Sequence, residues 1–218
     1  MRRSSRYRVA PLAALVLLGS CGYDILTRDM ATSGTVATYR APGVSFGSYA
    51  TFAIVDRLGI ATDTAPAPPS VTAPALLAHV RAKLEERGFT WVASVDPTSP
   101  PPAPVAADLA VNLTALETGQ TTSAFWLVYP GYWQPVVFGR AGDSWAYPWS
   151  WVPIPTHAGT VLVELADLRG AAGGQVEVVW TALGYAVAAG QNYDSASALG
   201  AVDQAFAQSP YLTTGGAP

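Results

Sequence analysis

The residue types that could do chemistry are few. Cys21 is the only cysteine in 218 residues and closes the run Leu18-Gly19-Ser20-Cys21. A Gly-x-Ser-x-Gly pattern occurs once, as Gly43-Val44-Ser45-Phe46-Gly47, with Asp143 and His157 downstream in the chain order of a hydrolase triad. His79 and His157 are the only histidines. Asp108, Glu164, Asp167 and Glu177 are the carboxylates considered as a possible pair.

Each pattern implies elements that would have to position it. A nucleophile elbow needs a serine on a sharp turn from strand into helix above a parallel sheet. Here Pro42 precedes the motif and a β-rich run follows from Tyr49, so residues 43–47 read as a connecting loop. Two histidines far apart, without ligand spacing such as His-Glu-x-x-His, do not outline a metal site. His79 falls next to Val80 on an expected helix and reads as a solvated or hydrogen-bonded side chain. A glycosidase needs two carboxyls at a working distance, and the four candidates are spread over different strands. Asp167 reads as fixing the turn after its strand through backbone amides.

Cys21 has clearer surroundings. Arg2, Arg3, Arg6 and Arg8 form a positive start, and residues 9–18 form a short apolar run. That run is too short to span a bilayer, which takes roughly 20 helical residues, but it suits a signal peptide. The pattern predicts cleavage before Cys21 and a diacylglyceryl (palmitate-type) modification of its thiol, with further acylation of the freed amine. Several acyl chains anchor durably where one gives reversible attachment. Gly22 in place of aspartate suggests, by sorting analogy, the outer membrane and its periplasmic face. The expected divisions are 1–20 leader, 21–34 acylated cysteine and tether, 35–212 domain with an insert at 120–157, and 213–218 flexible tail. The tether would reach about 40 Å if extended.

With the leader removed, the chain carries more acid than base, and Lys83 is its sole lysine. A nucleic-acid partner is therefore not expected, because phosphate neutralisation needs clustered Lys and Arg. No later stretch is apolar and long enough to cross a membrane. No cofactor is expected beyond the covalent lipid.

Residues 35–39, 49–55, 108–116, 160–166 and 176–186 read as strands from their β-branched, aromatic or alternating composition. In residues 108–116 the apolar Leu109, Val111, Leu113 and Ala115 alternate with Asp108, Ala110, Asn112 and Thr114, which predicts one buried face. Residues 61–70 read as a proline-rich loop. Thr72 is the expected N-cap of a helix with Pro74 in its first turn, Leu76, Leu77, Val80 and Leu84 on one face, and Gly88 as its stop. Asp194 or Ser195 is the expected cap of a second helix, which Ser209-Pro210 ends. The predicted architecture is α+β: a mostly antiparallel five-stranded sheet with two helices on one face, a two-layer sandwich.

Residues 125–151 are crowded with aromatic side chains. Two readings stay open: rings packed together as a minicore, which is favoured, or an exposed surface for a peptide or envelope protein, a glycan such as peptidoglycan, or the lipid headgroup zone. Trp126, Tyr132, Trp133, Trp145, Tyr147, Trp149 and Trp151 are the candidate ligand-binding residues of the second reading.

Several segments together resemble the bacterial lipoproteins of the domain-of-unknown-function 4136 family. They are Phe46, Tyr49, Thr51, Phe52 and Ala53; Arg87-Gly88-Phe89; Ala107-Asp108-Leu109; Gly159-Thr160-Val161-Leu162 with Asp167; Val179-Trp180; and Ala201-Val202. Ala182 departs from the glycine usual two residues after the tryptophan. The resemblance implies an α+β fold and an envelope location, with Phe52, Trp180 and Val202 in the core and Gly88 and Gly159 serving the backbone. It implies no activity. The expected role is non-enzymatic binding or scaffolding in the cell envelope, with a glycan-binding protein or an envelope glycan hydrolase as the alternative.

Overall fold

The computed structural model describes residues 34–61, 66–99, 101–116, 138–140, 143–146, 159–170 and 174–215. In chain order the elements are β1 (Val36–Arg40), β2 (Thr51–Val55), β3 (Leu58–Ala61), β4 (Pro66–Val71), α1 (Pro74–Glu86), β5 (Thr90–Val95), β6 (Leu109–Leu116), β7 (Ser144–Ala146), β8 (Thr160–Asp167), β9 (Gln175–Gly184) and α2 (Ala196–Gln208).

The fold is α+β, but the sheet is mixed rather than mostly antiparallel and five-stranded. The main order is β1-β9-β8-β6-β2-β5, with β3 pairing β4 and β6, and β7 pairing β9. The neighbours β1/β9, β9/β8, β8/β6 and β3/β4 are antiparallel, whereas β2/β5, β2/β6, β3/β6 and β7/β9 are parallel. Parallel neighbours need a crossover, and between β2 and β5 it includes α1. Strands β2 and β3 run in succession along β6, Phe52 opposite Leu109 and Gly59 opposite Thr114. The expected loop at 61–70 contains a strand, β4, which among the described residues pairs only with β3. Prolines are tolerated on an edge strand and at a bulge, and Pro68 and Pro69 fall where the β3/β4 register shifts.

Both helices lie on one face. Leu76, Val80 and Leu84 of α1 join Ala198, Val202, Ala205 and Phe206 of α2 over Phe52, Leu109, Val111, Leu113, Val163, Leu165 and Trp180. Trp180 is fully buried, and its indole N–H donates to Ser209 Oγ at 3.0 Å at the end of α2. Gly184 lets α2 approach the sheet, since a Cβ there would lie 3.0 Å from Ala201 Cβ.

The N-cap of α1 is Ala73, not Thr72, with Pro74 at the first helical position. Ala73 has no side-chain acceptor, and Asp194 supplies one from elsewhere, its Oδ1 accepting the Leu76 N–H at 2.9 Å. Ser195 caps α2 by accepting the Ala198 N–H. The two candidate caps of one helix thus serve two helices. Helix α1 ends as expected: Gly88 has φ +91°, its N–H donates to the Glu85 carbonyl, and that of Phe89 to the Leu84 carbonyl. This is a Schellman stop with the aromatic residue folded over the last turn. Thr213 Oγ1 and the Thr214 N–H both donate to the Arg87 carbonyl at 3.1 Å, so the first residues of the expected flexible tail contact this helix end.

The other sheet face is also buried, against the expectation of one buried face. Every residue of β6 is buried. Ala110, Asn112 and Thr114, read as the outer side of that strand, are 0 %, 1 % and 0 % exposed. Alternation in a sequence reports the chemistry of two faces, not whether the second is covered.

Candidate functional site

Two polar groupings stand out, and they differ in how well their hydrogen bonds are satisfied. The first gathers three of the resembling segments at the start of β2. Asp108 Oδ2 accepts the N–H of Ala50 (2.7 Å) and of Thr51 (2.9 Å), while the Asp108 N–H donates back to Thr51 Oγ1 at 3.0 Å. Tyr49 OH donates to Asp167 Oδ2 at 2.9 Å. Arg169 donates from its backbone to Asp167 Oδ1 (2.8 Å), pairs with Oδ2 (3.1 Å), reaches the Ser48 carbonyl (2.9 Å) and lies 3.8 Å over the Tyr49 ring.

The ionisation states follow from these contacts. Burial alone would raise the Asp108 carboxyl, but the two backbone N–H groups and the Thr51 hydroxyl outweigh it and hold the group below the usual carboxylate range. Burial, and then the Asp167 carboxylate beside it, push the Tyr49 phenol well above its ordinary value, so it stays protonated and donates. Asp108 and Asp167 are therefore brought to neighbouring ends of β6 and β8, where each is occupied in holding the β2 start. Asp167 fixes the turn after its strand, as expected.

The second grouping crosses the face opposite the helices. Asn112 of β6 lies opposite Glu164 of β8, Glu164 opposite Thr181 of β9, and Thr181 opposite Tyr39 of β1. At the usual strand spacing the row is about 14 Å long. Thr114 lies two residues along β6 on the same face, and Tyr185 follows β9 on that side. Asn112, Thr114, Glu164, Thr181 and Tyr185 are each at most 2 % exposed. Among the described residues, both amide atoms of Asn112, the hydroxyls of Thr114 and Thr181 and the phenol of Tyr185 have no hydrogen-bond partner. Burial, then the nearby Tyr39 phenol, raise the Tyr185 phenol above its ordinary value.

This row divides what would otherwise be one apolar face. On one side lie Ala53, Val55, Ala110, Ala166, Val178 and Phe138; on the other lie Leu162, Leu183, Tyr185 and Tyr39. An unpartnered buried polar group costs about 1–3 kcal/mol, and buried polar groups in folded proteins are nearly always paired. Several of them on one face mark a place arranged for something other than packing. Glu164 was visible in the sequence as the one charged residue within residues 160–166, and Asn112 and Thr114 as a polar side. Thr181 and Tyr185 were missed, because pairing register, not local pattern, aligns them with the others.

The remaining candidates are not assembled into a site by the described residues. Ser45 is exposed and precedes a 3₁₀ turn, Phe46–Ser48, that leads into strand β2, the arrangement of a connecting loop. Asp143 pairs with Arg140 at 4.0 Å, and His157 lies outside the described residues. His79 Nε2 is 2.9 Å from Asp203 Oδ1, which also takes Lys83 Nζ at 3.1 Å, so the histidine bridges α1 to α2. Glu177 is exposed on β9. Among the described residues no group of three or more His, Cys, Asp or Glu is placed to hold a metal ion, and no helix is long and apolar enough to cross a membrane. Cys21, Trp126, Tyr132, Trp133, Tyr147, Trp149 and Trp151 lie outside the described residues. Trp145 falls in β7, opposite Val176.

Comparison with known proteins places the fold. No curated protein matches the chain. A crystal structure of a DUF4136 family protein from Bacteroides thetaiotaomicron VPI-5482 is similar, with TM-score 0.64 and 26% identity over 83% of this chain and 97% of that one. A dodecamer of PelC from Paraburkholderia phytofirmans aligns over 83% of this chain and 98% of that one at 16% identity and TM-score 0.36, too distant to bear on this molecule. The model of the family described as "Domain of unknown function (DUF4136)" matches residues 36–211. These residues span β1 through the turn after α2 and include the Asp108–Thr51 and Tyr49–Asp167 contacts, and the chain belongs to the DUF4136 family.

Proposed function

We propose that this chain is a non-enzymatic binding module of the bacterial cell envelope, anchored by an acylated Cys21 to the periplasmic face of the outer membrane. The observation that carries the binding half is the set of buried polar side chains on one sheet face, Asn112, Thr114, Thr181 and Tyr185, whose polar atoms have no partner among the described residues. A face that only packed would be expected to be apolar across β6, β8 and β9, as the helix-side face is. The anchoring half rests on the arginine-rich start, the short apolar run and the position of the lone cysteine.

A binding role fits the carboxylates better than hydrolysis does. A glycan hydrolase would need two carboxyls about 5–10 Å apart beside its substrate. Asp108 and Asp167 are instead engaged by backbone amides, Tyr49 and Arg169.

The test is made in intact cells. Wild type is expected to incorporate labelled palmitate, to fractionate with outer membranes and to crosslink to an envelope component. Cys21→Ala is expected to lose the label and the membrane association. Membrane fractionation of Cys21→Ala equal to wild type would refute the anchor, and an uncrosslinked wild-type chain would refute the binding role.

A further inference from the structure

We draw no further inference here: the strongest candidate, the side-chain cluster of Asp56, Arg57 and Asp96 at the neighbouring ends of β2 and β5, is a half-exposed acidic pair beside one arginine, and nothing else among the described residues there points to a ligand.

Discussion

Replacing Asp108 by alanine should loosen the start of β2, and the size of the effect can be worked from its contacts. Asp108 Oδ2 accepts two backbone N–H bonds, from Ala50 at 2.7 Å and Thr51 at 2.9 Å. Bonds to a charged acceptor contribute about 1.5–3 kcal/mol each. Ala50 is exposed, so water takes over its N–H once the carboxylate is gone, and that bond counts at the lower end. The Thr51 bond is half-buried and counts for more. The expected loss for Asp108→Ala is about 3 kcal/mol at neutral pH, and for Asp108→Asn, which keeps an acceptor oxygen, about 1 kcal/mol. Urea denaturation reads both as a lowered midpoint at unchanged slope.

The pH dependence provides a second readout. The folded-state carboxyl titrates below its unfolded value. Its contribution is therefore complete above the unfolded value of about 3.9 and lost as pH falls through the lower folded value. The gap between wild type and Asp108→Asn should hold from neutral pH down to about pH 4 and narrow below it. An Asp108→Ala protein within about 0.5 kcal/mol of wild type, the scatter of an ordinary surface change, would refute this account of the cluster. So would a gap that widens in acid.

Two further outcomes are expected from the helix ends. Gly88→Ala should destabilise by about 1–2 kcal/mol for the left-handed backbone alone, and by more because its Cβ would lie 2.3 Å from Thr214 Oγ1; adding Thr214→Ala should restore the second part and not the first, as read by thermal melts. Asp194→Ala should cost about 1 kcal/mol, the usual effect of a lost N-cap acceptor, and hydrogen exchange should place the loss in the first turn of α1 rather than α2, since its partner is the Leu76 N–H.

Much of this fold can be read from local pattern, and the parts that cannot share one cause. Helix α1 showed its apolar face and its Gly88 stop, and β8 and β9 showed two β-rich runs. Strand β4 was hidden by Pro66, Pro68 and Pro69, which argue against a strand unless the segment is known to be an edge. Strand β5 half-exposes its apolar residues, and only its parallel place beside β2 makes it part of the sheet. Non-local pairing likewise decides that Asp194 caps the other helix. The candidate row follows the same rule: Asn112, Glu164 and Thr181 are 52 and 17 positions apart along the chain and become neighbours only through the β6/β8 and β8/β9 registers. What the sequence displays best is the chemistry of each face; what it conceals is which faces meet.

The proline-rich strand β4 bears on how this molecule behaves when crowded. Three of its six residues lack a backbone N–H. Among the described residues, a foreign chain trying to lengthen the sheet on that side would therefore find a regular ladder of donors only along β5, six residues or about 20 Å. Fibril growth requires a long uninterrupted template that each added molecule reproduces. A border broken in this way gives a propagating stack little to copy, and self-association by that route should stall after a short patch.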